Sequence, residues 1–71
     1  MTIKDIEQMR DRVQGDVDLY IEERTPVGEN LIYFKSFDNL IKFVKENYNE
    51  NLISKKFLKN KIVGVKIWRN D

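Results

Sequence analysis

Apolar and polar positions alternate with two different periods along this chain, and the switches between them mark its elements. Ile3, Ile6, Met9 and Val13 recur at three- and four-residue spacing, with charged residues between them. That spacing lays one narrow apolar stripe along a helix. Thr2 stands just before the stripe and Asp5 three residues later, a T-x-x-D form of the capping box. Gly15 suits a stop, because glycine takes the left-handed conformation after a last turn. The pattern predicts a helix over roughly residues 3–14.

The period then drops to two. Val17, Leu19 and Ile21 alternate with Asp18, Tyr20 and Glu22, which predicts a strand with one apolar face. Arg24 to Asn30 contains the only proline and a glycine and reads as a hairpin loop. Leu31 to Phe37, rich in aromatic and aliphatic residues, reads as the returning strand. Asp38 suits an N-cap. Beyond it Leu40, Ile41, Val44 and Tyr48 share a helical face with Phe43 beside them, and the helix fades among the asparagines of 47–51. A short helical turn is expected around Leu52–Leu58. Lys61 to Trp68 reads as the third strand, with Val63, Val65 and Ile67 on one face and Ile62, Gly64, Lys66 and Trp68 on the other.

The element order is α-β-β-α-β, an α+β fold in one small domain over residues 1–71. A right-handed crossover through the second helix joins strands two and three. The simplest three-stranded sheet has spatial order 2-1-3, with the first strand central and antiparallel to both others.

Composition removes several chemistries. The chain has 71 residues and neither histidine nor cysteine. Imidazole general bases, thiolate nucleophiles and nitrogen or sulfur zinc sites are therefore absent. Its three glycines are scattered, which leaves no phosphate-cradling loop. Neither Ser36 nor Ser54 lies in a G-x-S-x-G setting. A non-enzyme without a cofactor is the expectation. Acids and bases interrupt the N-terminal stretch at once, and the longest uncharged apolar run is Ile62–Val65, so neither a leader nor a membrane span is expected. Zero cysteines agree with a reducing cytoplasm. The Lys-, Asn- and Ile-rich style suggests an AT-rich bacterium or one of its phages.

The net charge is only +1, but it is unevenly placed along the chain. Residues 1–30 hold four bases against eight acids, a net of −4; residues 31–71 hold nine against four, a net of +5. From Asn51 to Arg69 there are six bases and no acid. Such a chain can carry two strong local fields.

Three groups are candidate sites. Lys55, Lys56, Lys59, Lys61, Lys66 and Arg69, interleaved with Phe57 and Trp68, could contact phosphates while the indole stacks on a base. The plain alternative is a solvated lysine-rich edge with Phe57 in the core. The second group is a sheet face. If Val17, Leu19, Ile21, Val63, Val65 and Ile67 face the helices, Tyr20 and Trp68 point outward with Lys66, joined by either Tyr33 or Phe34. Exposed aromatics serve protein hot spots and nucleic-acid platforms alike. The alternative is that the first helix covers this face. The third group, Asp16 and Asp18 followed by Glu22 and Glu23, could hold a divalent cation, serve as an acid–base pair, or imitate a phosphate backbone. Solvated acids on a polar strand face explain it as well.

The leading expectation is a small non-catalytic interaction protein that binds a macromolecular partner, a protein first, through segregated charged surfaces and exposed aromatics. The second is a nucleic-acid-binding module using the basic C-terminal region. Self-association is a further expectation, because strands two and three are both sheet edges.

Overall fold

Thr2 opens helix α1 (Ile3–Arg12) as the spacing predicts: its backbone N–H donates to Asp5 Oδ2 at 2.7 Å. The computed structural model describes residues 1–70. Only Ile6 of the stripe is fully buried, while Ile3, Met9 and Val13 pack around the margin of the core. The chain leaves the helix through Val13, and Gly15 turns it at φ +92° into β1 (Val17–Thr25).

β1 and β2 (Gly28–Phe34) run two to three residues further into the expected loop from each side. They leave a two-residue turn at Pro26–Val27. Thr25 Oγ1 donates to the Gly28 carbonyl at 2.9 Å and accepts from Val27 N–H at 3.3 Å, closing that turn. β2 ends at Phe34, not Phe37. Ser36, not Asp38, caps α2 (Phe37–Asn47): its hydroxyl accepts the Asn39 N–H at 3.2 Å. A buried Phe37 therefore begins the helix. Leu40, Ile41, Val44 and the capping Tyr48 follow it into the core, as their spacing requires.

No helical turn forms around residues 52–58. Asn49 Oδ1 accepts the N–H groups of Asn51 and Ile53 at 2.9 and 3.1 Å, an asparagine-organised reversal that competes with helix. Leu52 takes φ +63°, a left-handed conformation that costs a non-glycine residue about 1–2 kcal/mol. Complete burial of its side chain offsets that cost. The segment then bridges Ile53 to Lys61 and enters β3 (Lys61–Arg69).

The sheet has order β2-β1-β3 with both pairings antiparallel. The order α-β-β-α-β and the central place of β1 agree with the sequence pattern. Its inner face joins Val17, Leu19 and Ile21 to Ile6, Leu40, Ile41 and Val44, with Ile32, Phe34, Val65 and Ile67 at the margin. One face assignment changes. Glu22 pairs with Gly64 but Glu23 pairs with Ile62, so β3 carries one extra residue, Val63. This bulge resets the alternation. Ile62 becomes the core residue, 4% exposed, and Val63 does not belong to the core cluster. No helix among the described residues is long and apolar enough to cross a membrane.

Candidate functional site on the open sheet face

Alternation along β1 sends Asp18, Tyr20 and Glu22 to the side away from the core, and register aligns their neighbours. Asp18 lies opposite Trp68; Tyr20 lies between Tyr33 and Lys66; Glu22 lies between Leu31 and Gly64. Both helices pack on the other side, so this face stays open. Trp68 is 69% exposed, Tyr33 45% and Leu31 more than half, while Tyr20 is half-buried between its neighbours. Of the two residues left open by sequence, Tyr33 joins the outer face and Phe34 faces inward, 5.2 Å from Phe43 between ring centroids.

The two tyrosine rings are held in place. Tyr20 and Tyr33 stack tilted at 53° with centroids 5.4 Å apart. The Tyr33 hydroxyl donates to Asp18 Oδ1 at 2.6 Å. That bond, ahead of the Asn70 side chain and the Lys35 charge, keeps the Asp18 carboxyl below its usual range. The same bond pushes the Tyr33 hydroxyl up to about 12. At neutral pH the arrangement is thus an ionised carboxylate among three aromatic side chains, with Lys66 beside them. Sequence singled out Tyr20, Trp68 and Lys66 but placed Asp18 in an acidic pair. Asp16 instead lies in the bend before β1 and is exposed. Glu22 and Glu23 part company too. Glu23 turns inward, where the buried Tyr48 hydroxyl donates to it and Asn30 Nδ2 donates at 3.3 Å. Burial, then the Glu23 carboxylate, raises the Tyr48 hydroxyl above its ordinary value.

The basic stretch does not fold into one patch. Lys55, Lys56 and Lys59 sit in the 54–60 loop and Lys61 at the start of β3, whereas Lys66, Trp68 and Arg69 occupy its far end. Eight residues at ~3.3 Å each separate Lys61 from Arg69 by roughly 25 Å. Arg69 Nη1 donates to the Gln14 carbonyl at 3.2 Å. The loop is pinned by Ser54, whose buried hydroxyl accepts the N–H groups of Lys56 and Phe57 at 3.3 and 3.0 Å. It presents Phe57 and Leu58 to solvent, Leu58 at 76%, rather than sending Phe57 into the core. Lys56 Nζ lies 5.4 Å from the Phe57 ring centroid.

Nor do the two signs of the sequence halves form two poles. The acid-bearing strand is the central one: the Lys35 charge acts on Asp18, and Lys66 stands on β3 opposite Tyr20, between the levels of Asp18 and Glu22. Two ion pairs also cross between the halves: Arg10 to Asp38 at 3.7 Å and Lys45 to Glu7 at 3.9 Å. An open hollow of about 550 Å³ in the helical layer is lined by both signs, including Lys4, Glu7, Lys45 and Glu50. Comparison with protein-family models, curated proteins and solved structures finds no match to this chain.

Proposed function

We propose that this chain is a small non-catalytic interaction protein whose open sheet face docks onto a protein partner. The observation that carries the reading is the outward placement of Trp68, Tyr20 and Tyr33 on three adjacent strands, with the two tyrosines fixed beside an ionised Asp18 and Leu31 exposed alongside. Rigid aromatics bury large area at low entropic cost, which is why Trp and Tyr dominate hot spots. Carboxylates on the same face favour a protein over a nucleic acid: Asp18 and Glu22 would repel phosphates placed on the rings. The zero-cysteine composition supports a cytoplasmic setting, and the Lys-, Asn- and Ile-rich style supports a bacterial or phage source.

A second reading keeps a nucleic acid at the basic loop, which carries Lys55, Lys56 and Lys59 and holds Lys56 Nζ over the exposed Phe57. Salt separates the two, because phosphate contacts weaken steeply with ionic strength. The test uses the intact chain as bait in an extract of its native host, beside two variants. Trp68→Ala with Tyr20→Ala should abolish capture of a protein partner while the circular dichroism stays native. Lys55, Lys56 and Lys59 changed together to Gln should leave capture unchanged. The opposite pattern, with binding to random DNA at ~50 mM salt that fades as salt rises, would replace the first reading by the second.

A further inference from the structure

We infer that two copies of this chain associate through the free edge of β3, in a two-fold antiparallel register centred on Ile67. β1 occupies one side of β3, and the other side is closed only at its beginning. There Ile53 bridges to Lys61 and the Ile62 N–H donates to the Leu52 carbonyl at 2.9 Å. Among the described residues no backbone hydrogen bond reaches Val63–Arg69 from outside the sheet. A row of unpaired amides and carbonyls is a template for another strand.

Of the usual defences against such pairing this edge keeps only charge, at Lys66 and Arg69. The stretch has no proline, and its one bulge, at Val63, adjoins the end that is already closed. Val65 and Ile67 on the inner side are apolar and half-buried. The other edge, β2, differs: Glu29 and Asn30 occupy its hairpin half, which leaves only Leu31–Phe34 apolar.

Side chains choose among the two-fold registers. Centring on Lys66 sets two ammonium groups directly opposite each other, which is repulsive. Centring on Val65 sets Trp68 against Ile62, whose edge is already occupied by Leu52. Centring on Trp68 shortens the ladder to five residues. Centring on Ile67 pairs residues 64–70 with their copies. Ile67 then meets Ile67 of the second copy on the inner face. On the outer face each Lys66 meets Trp68 of the second copy, giving two cation–π contacts by symmetry. The product is a six-stranded sheet in which the two aromatic faces run on from one another. The association does not depend on any outside partner.

Sedimentation equilibrium on the intact chain is the test, expecting reversible growth from 8.6 kDa to twice that mass as concentration rises. Trp68→Lys sets like charges across the two-fold and should weaken the dimer at least about tenfold. Adding Lys66→Glu to that variant places Glu against Lys and should restore most of the affinity. Circular dichroism verifies that each variant is folded. The chain has no cysteine, so single thiols report register cleanly. Ile67→Cys should oxidise to a covalent dimer faster than Lys66→Cys, because only residue 67 faces its own copy. A monomer at ~0.5 mM overturns the inference. A dimer that Trp68→Lys leaves unchanged, or that Lys66→Cys cross-links as readily as Ile67→Cys, overturns it as well.

Discussion

Replacing the only tryptophan by alanine ordinarily removes a large part of a small core. Here Trp68→Ala should leave the domain folded. The side chain is 69% exposed, so about a third of its surface is withdrawn from water. A tryptophan can bury up to ~250 Å², so the lost burial is at most roughly 80 Å², or about 2 kcal/mol at 25 cal/mol per Å². A fully buried comparator behaves differently. Leu19 is 0% exposed at the centre of the sheet, and Leu→Ala at such a site costs about 3–5 kcal/mol. A chain of this length holds only about 4–10 kcal/mol in all. Leu19→Ala should therefore unfold a large fraction of the molecules, whereas Trp68→Ala should lower the urea midpoint by no more than ~2 M for a slope near 1 kcal/mol per M. Equilibrium urea unfolding followed by far-ultraviolet circular dichroism measures both without needing the indole. Acrylamide should quench the native wild-type tryptophan fluorescence nearly as well as the unfolded. If Trp68→Ala costs as much as Leu19→Ala, or the native indole resists quenching, the sheet face is covered and the reasoning fails.

The Tyr33–Asp18 bond makes stability depend on pH at both extremes. The lowered Asp18 carboxyl favours the fold above its ordinary pKa, and this benefit disappears as acid protonates it; the raised Tyr33 hydroxyl favours the fold below 10.0, and its benefit disappears as pH climbs through about 12. Tyr33→Phe should move the Asp18 titration, followed by carboxyl carbon NMR, back up toward the normal range; an unmoved titration removes the bond. Ser36→Ala should destabilise by about 1 kcal/mol in thermal unfolding, because it removes the helix cap, and Asp38→Ala by clearly less, because that exposed carboxylate makes only a solvated pair with Arg10. Gly64→Ala should be close to neutral, since the new methyl meets only the movable end of Glu22 at 2.8 Å; Gly15→Ala, at φ +92° with open space around it, should cost ~1 kcal/mol by backbone strain alone. Equal costs at the two glycines would count against both assignments.

The fold was legible where a period persisted and opaque where a single residue decided. Val17, Leu19 and Ile21 announce one strand face, and Leu40, Ile41, Val44 and Tyr48 one helix face, because each set repeats long enough to overdetermine its element. The cap of α2 was not legible in this way. Ser36 and Asp38 are both good cap residues, and the choice depends on Phe37 finding a place in the core, which is a tertiary fact. Similarly, Ile62 and Val63 are interchangeable to a pattern of period two. Only the bulge opposite Glu22 and Glu23 makes the first the core residue. The 52–58 segment misleads for a different reason: Asn49 spends its side chain on the backbone of Asn51 and Ile53, and periodicity does not register local hydrogen bonding.

Charge along the chain carried even less of the spatial answer, and the topology explains why. In the order β2-β1-β3, the strand from the acidic half lies between β2, which straddles the two halves, and β3 from the basic half. Alternation then lifts only every second residue of each to the open face. A split of −4 and +5 along the sequence becomes a mixed surface at the sheet, with Asp18 and Glu22 in the middle and Lys66 on one flank. Aromatic residues escape this averaging, because Tyr20, Tyr33 and Trp68 all fall on outward positions of neighbouring strands. A lone ring on such a surface would be unremarkable. Three rings on adjacent strands, two of them fixed by a 2.6 Å hydrogen bond and a 5.4 Å ring contact, form a preorganised patch. The segregation that matters for recognition is therefore between the two faces of the sheet, and the sequence halves contribute to both.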